Sequence, residues 1–202
     1  MHLYPSAGSA RDVGGAIVDM LYPPGAPSRV PILAITGTNG KTTVTRMIGH
    51  VLGAHATVGM TTTDGIHIGG RRVSRGDHTG PTSARTVLAD PSVTAAVLET
   101  ARGGILRRGL GYDWSAVAVV TNITRDHIGQ DGIETLDDVI WIKSLVAERV
   151  RDGGTLVLNA DDPGAASLAS DDRVMRGGGG GTQSESGAPQ SWGGGTQGES
   201  GA

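Results

Sequence analysis

Residues 31–43 read PILAITGTNGKTT. Ile32, Leu33, Ala34 and Ile35 form the short apolar run expected of a strand buried in a sheet. The run breaks at Gly37 and Gly40, and Lys41 and Thr42 follow where a helix begins. That order makes a phosphate cradle. Glycines let backbone N–H groups turn inward, the helix N-terminus adds positive potential, Lys41 adds a full charge, and the Thr42 hydroxyl suits Mg²⁺. The general spacing of such loops puts a first glycine at position 35, where this chain has Ile35, so the loop is a shorter variant. The candidate nucleotide contacts are therefore Gly37, Thr38, Asn39, Gly40, Lys41, Thr42 and Thr43. The helix after Lys41 should run to Leu52, with Val44, Met47, Ile48, Val51 and Leu52 on its apolar stripe.

Outward from this stretch, strands alternate with helices. Strands are expected at 57–60, 94–98, 117–120 and 156–158, and a small hairpin at 66–73. Helices are expected to about Leu88, over 136–150, and after Pro163, with a further short helix over 10–22. This is the α/β pattern of a mainly parallel, P-loop sheet flanked by helices. In such sheets ligands bind at the carboxyl ends of the strands. Polar residues gather there: Thr38–Thr42, Thr61–Asp64, Glu99, Asn122 and Asp161. The chain divides into a linker-like segment at 1–30, a nucleotide-binding domain at 31–172, and a Gly/Ser-rich tail at 173–202 that has little to bury and is expected to be disordered. In the tail GGGTQSESGA at 179–188 returns as GGGTQGESGA at 193–202, and Trp192 is the one large apolar residue from Gly177 onward.

Composition narrows the function. The net charge is −3, which argues against general nucleic-acid binding. There is no cysteine, which excludes a disulfide framework and a zinc–thiolate site and fits a reducing cytoplasm. No apolar run reaches membrane-spanning length. The 17 basic residues include only Lys41 and Lys143 as lysines. A lysine kept against such an arginine preference does something arginine cannot. Lys143 falls on the apolar stripe of the 136–150 helix, where a charge must be paired, neutralised or snorkel to the rim.

Glu99 closes the strand ending AVLE. Two readings fit it: a Mg²⁺ ligand beside the phosphate cradle, or a carboxylate paired with Arg102 or Arg107. Arg102 lies in ETARGGILRRG, which reads either as a phosphate-side arginine or as a solvated basic turn. His127, in TNITRDHIG, lies in a loop at the active edge; a lone histidine is more often structural than a ligand.

TGTNGKTT, ETARGG, TNITRDH and LNADDP, in this order, resemble the central ATP-binding domain of the Mur ligase superfamily. MTTTDGIHIG and GDHTGPTS narrow the likeness to the Mur-like half of the cyanophycin synthetases. The resemblance covers about residues 1–170. It implies an ATP-dependent amide ligase, with ATP and Mg²⁺ as cofactors, that activates a carboxylate as an acyl phosphate and joins it to an amine. In the narrower likeness arginine is joined to aspartate side chains of a peptide-like acceptor. The resemblance gives Lys41 the phosphates, and Thr42 and Glu99 one Mg²⁺. It gives His127 a second Mg²⁺, and Lys143 the place of a carbamylated lysine. Asn159 and Asp161 approach the nucleoside, and Thr62, Thr63, Thr79 and Gly80 the acceptor. From these residues no counterpart of the ATP-grasp half or of the amine-side third domain of such enzymes is expected. A Mg-ATP-binding fragment or interaction module is thus the alternative to a ligase completed by a homo-oligomer or another chain. A P-loop kinase or GTPase fits less well, because the guanine signature NKxD is absent.

Overall fold

The computed structural model describes residues 29–125, 129 and 132–177, together with Met20. The expected helix over 10–22 (apart from Met20), His127 and the tail from 178 onward lie outside the described residues.

Seven strands form one sheet in the order β4-β3-β2-β5-β1-β6-β7. They are β1 (Ile32–Thr36), β2 (Val58–Thr62), β3 (Gly65–Ile68), β4 (Arg71–Arg75), β5 (Ala95–Glu99), β6 (Ser115–Val120) and β7 (Val150–Leu158). From β2 to β7 the pairings are parallel; the β2-β3-β4 edge is antiparallel. The mainly parallel α/β sheet expected from the sequence is therefore the one found. It places β1 centrally, between β5 and β6, so the loop after β1 opens between the ends of two neighbours.

Side-chain alternation along β1 feeds both faces. Ile35 joins Val97 and Val58 under the stripe of helix α1 (Lys41–Leu52), which seats Val44, Ile48 and Leu52. On the opposite face Ile32, Ala96 and Leu98 pack with Ala84 and Val87 of α2 (Pro81–Leu88). Ala34, Ala118 and Val120 pack there with Ile105 of α3 (Arg102–Arg108) and with Val139, Ile142 and Val146 of α4 (Leu136–Ala147). Mainly aliphatic side chains fill this core in a chain without phenylalanine, and Tyr112 packs against two of its clusters. α4 starts on a reciprocal cap: the Thr135 hydroxyl accepts from the Asp138 N–H, and the Asp138 carboxylate accepts from the Thr135 N–H.

Several local expectations change, beginning with Met47 and Val51, which are exposed and do not join the packed stripe of α1. α4 stops at Ala147, and β7 begins at Val150 rather than at Leu156; Val150 pairs with Ser115, and the register shift before Val117 absorbs the glycines at 153–154. β2 continues through Thr61 and Thr62, which pair with Ile66 and Gly65, so the polar turn is shorter than TTTDG. The ARGGILRR stretch is a helix and not a loop. After α5 (Pro163–Ser167) the folded unit does not end at 172, because α6 (Asp172–Gly177) follows and Val174 is buried in the core beside Leu168.

Candidate functional site

α1 starts without a side-chain cap. Gly40 occupies the cap position at φ 81°, and the first turn contains no acid. The leading N–H groups of a helix have no partner inside it, and no carboxylate of the helix's own first turn offsets their positive potential. The Lys41 ammonium bends over this turn and donates to the Thr38 carbonyl at 2.8 Å. Cationic and N–H groups thus converge on one concavity at the carboxyl end of β1.

Glu99, at the end of neighbouring β5, is 2 % exposed. Its carboxylate accepts from the Thr42 hydroxyl at 2.9 and 3.1 Å and from the Thr63 N–H at 3.3 Å. The Thr42 and Thr63 hydroxyls are themselves 3.1 Å apart. Burial raises the Glu99 pKa above the usual carboxylate range, while the Thr42 hydrogen bond and the Lys41 charge pull it back down. Of the two readings of Glu99, this geometry favours the one facing the cradle. One carboxylate and two hydroxyls form an oxygen donor set suited to Mg²⁺, which commonly takes one or two protein carboxylates and completes its shell with phosphate and water. Among the described residues no group of three or more His, Cys, Asp or Glu side chains stands ready to hold a metal by itself.

A cavity of about 210 Å³ opens beside the cradle, lined by Thr38, Lys41, Arg102, Val139 and Lys143 among others. Lys143 is 4 % exposed and so does not snorkel to solvent. α4 delivers it from the sheet face opposite α1, and the two lysines of the chain line one cavity. A larger cavity of about 880 Å³ lies at the amino ends of the strands, between Pro31, Leu88 and Trp114. It is lined by neither lysine and by none of the polar residues at the carboxyl ends of the strands.

The expected acceptor residues divide. Thr63 sits at the cradle. Thr62 is fully buried, and its hydroxyl donates to the Asp64 carboxylate and the Gly65 carbonyl. Thr79 is 6 % exposed and donates its hydroxyl to Asp77. Gly80 caps α2. Asn159 uses its amide on the Thr121 carbonyl and its side-chain oxygen on the Asp161 N–H. Asp161 is exposed. His127 lies outside the described residues.

Asp162 does what sequence reasoning left unassigned. Its Oδ1 accepts from the Ala165 N–H, capping α5, and from the Ile123 N–H, which fixes the loop after β6. The signal was present: an aspartate directly before a proline at the first helical position is a helix-start pattern.

Gly37 adopts φ 145°, and a Cβ there would lie 2.0 Å from Thr121 Oγ1. Gly37→Ala therefore strains the backbone and pushes the loop off β6. The expected result is a loss of roughly 2–3 kcal/mol of stability and nucleotide binding weakened more than tenfold, measured by urea unfolding and calorimetry on one preparation.

The family described as the Mur ligase middle domain matches residues 35–176. The chain is 52% identical over 170 residues to cyanophycin synthetase of Synechocystis sp., covering 84% of this chain and 20% of that protein. It thus spans about a fifth of the length of the cyanophycin synthetases it matches. Among solved structures it is similar to a UDP-N-acetylmuramoyl-L-alanyl-D-glutamate–2,6-diaminopimelate ligase, with TM-score 0.58 and 23% identity over 80% of this chain and 32% of that one. It is also similar to folylpolyglutamate synthase of Mycobacterium tuberculosis complexed with ADP and AMPPCP, with TM-score 0.55 and 22% identity over 81% of this chain and 44% of that one. At these identities the two structures speak for the fold alone.

Proposed function

This chain belongs to the Mur ligase middle-domain family, and from that premise we propose that it is the ATP-binding part of an ATP-dependent amide ligase. The observation that carries the reading is the meeting of Lys41, the uncapped start of α1 and the Glu99–Thr42 pair at one strand edge. A cationic, N–H-lined pocket beside a single buried acid suits a nucleoside triphosphate with its divalent ion.

In this reading an acceptor carboxylate oxygen attacks the γ-phosphorus of ATP. The bond to the β–γ bridging oxygen breaks, ADP leaves, and an acyl phosphate forms. An amine then attacks the acyl carbon, the carbon–oxygen bond to phosphate breaks, and the amine loses a proton as the amide forms. Lys41 and the N–H groups of the first turn of α1 hold the phosphates and draw charge from the transferring group. Thr42 and Glu99 would hold Mg²⁺, which supplies charge neutralisation on the phosphate oxygens when bound. The reading gives His127 a second Mg²⁺. It gives Asn159 and Asp161 the nucleoside side, and Thr63 with the 79–80 turn the acceptor side. The likeness to cyanophycin synthetase supports aspartate side chains as the acceptor and arginine as the amine.

Lys143 carries the sharpest part of the proposal. Carbamylation converts a buried amine into an anionic oxygen group, which suits a site full of cations and metal, and arginine cannot be modified in this way. Its position on the cavity shared with Lys41 supports this role. The expected result is that Lys143→Arg keeps the positive charge yet lowers acceptor-dependent ADP release at least tenfold, and that bicarbonate stimulates only the wild-type chain. The assay contains Mg-ATP, an aspartate-rich peptide and arginine. Full activity in the arginine variant would remove the carbamate. Failure of the wild type to bind Mg-ATP in calorimetry would remove the ligase reading itself.

A further inference from the structure

Taking the cradle reading as premise, we infer that Thr121 and Asn122 are positioning residues that hold the phosphate loop in its binding shape. The strand β6 ends beside β1, and its last turn grips the loop after β1 at one residue, Asn39. The Asn39 N–H donates to Asn122 Oδ1 at 2.8 Å, and Asn122 Nδ2 donates back to the Asn39 carbonyl at 3.1 Å. The Thr121 hydroxyl also donates to that carbonyl, at 2.6 Å. Both backbone groups of Asn39 are thus spent on side chains more than eighty positions away in the sequence.

The grip continues on either side. The Thr38 N–H donates to the Asn122 carbonyl at 2.8 Å. The Thr38 hydroxyl accepts from the Thr124 N–H at 3.0 Å. The Thr121 N–H donates to the Thr36 carbonyl at 3.1 Å. Asn159 reaches the Thr121 carbonyl, and Asp162 holds Ile123, so the clamp is itself braced from β7 and α5.

The consequence is a division of labour within the loop. With Thr38 and Asn39 turned toward β6, the N–H groups that follow, at Gly40, Lys41 and Thr42, are the ones left to face a ligand. A short loop with two glycines has much freedom to lose on binding. A clamp that fixes it beforehand removes that cost, which is the general route by which preorganisation raises affinity. The clamp needs an amide at 122, because one side chain must accept from an N–H and donate to a carbonyl at once. Aspartate keeps the acceptor, loses the donor, and turns a carboxylate toward the Asn39 carbonyl.

The test compares Asn122→Asp, Asn122→Ala and Thr121→Val with the wild-type chain, titrating Mg-ATP and inorganic tripolyphosphate by calorimetry and following thermal unfolding of the same samples. The expected result is at least tenfold weaker binding of both ligands for Asn122→Asp, a smaller loss for the other two, and melting temperatures that do not rank with the affinities. Lowering the pH toward the carboxyl range restores the missing donor of Asn122→Asp, so its affinity relative to wild type recovers. Should Asn122→Ala prove too unstable to titrate, Thr121→Val and the pH arm carry the test. Wild-type affinity in Thr121→Val together with a pH-independent ratio in Asn122→Asp overturns the inference and leaves the cradle reading intact. Absence of binding to the wild-type chain overturns both.

Discussion

Lys41→Ala abolishes nucleotide binding while leaving the fold in place. The side chain donates to one carbonyl, that of Thr38, and is only partly buried, so its removal takes little from the folded state. What it takes from the ligand is large. An ammonium at the start of an uncapped helix is the one full positive charge that the loop itself contributes. Truncating a charge that faces a phosphate in a partly desolvated site costs about 2–5 kcal/mol. The middle of that range is at least a hundredfold in affinity, and calorimetry with Mg-ATP reads it directly. Lys41→Arg should not rescue it, because the planar guanidinium is longer and cannot replace a compact ammonium in so tight a turn. Unchanged affinity in Lys41→Ala would mean that the loop is a plain strand-to-helix connection.

Glu99→Gln separates binding of the ion from stability of the fold, in opposite directions. The carboxylate is buried, and its charge is disfavoured enough to raise its pKa, with Thr42 and Lys41 opposing the shift. A carboxyl whose pKa is higher in the folded state than in the unfolded chain binds more proton when folded. Its charged form therefore costs stability as pH rises through that raised value, and the cost vanishes below the unfolded value. Glutamine keeps acceptors for Thr42 and Thr63 without the charge. The variant is expected to melt at or above the wild-type temperature at neutral pH, and the gap should close as pH falls below the unfolded carboxyl range. Its nucleotide affinity should no longer rise with added Mg²⁺, whereas the wild type gains at least tenfold. In the wild type that gain weakens toward acid pH, because protons compete for the same oxygens. A Mg²⁺ titration unaltered by the substitution would move the metal away from β5.

Much of the site is legible because it is local. Ile32–Thr43 needs nothing beyond itself to read as strand, glycine turn and helix start, and Glu99 is marked by its place at the end of an apolar run. The helix α3 was not legible. Gly103 and Gly104 lower helix propensity by about 1 kcal/mol each, and the segment reads as a turn. Tertiary packing reverses this: a Cβ on Gly104 would lie 3.0 Å from Gly80 Cα and from the Thr79 carbonyl, so the glycine allows α3 to seat against the loop before α2. Arg102 reaches the cavity wall only because that seating occurs. Thr62 misleads in the opposite way, since its residue type and position suit a ligand contact but its hydroxyl is consumed inside the turn.

By itself the sequence determined the strand, glycine turn and helix start of residues 32–43, the acid at the end of β5 and the alternation that makes a parallel sheet, all of them legible within a few residues. Only the tertiary structure decided that β6 lies beside β1, that Asn122 therefore clamps Asn39, and that Lys143 shares a cavity with Lys41. Strand order follows from how the whole set of apolar faces is buried at once, and no local pattern along the chain specifies which strand will be the neighbour.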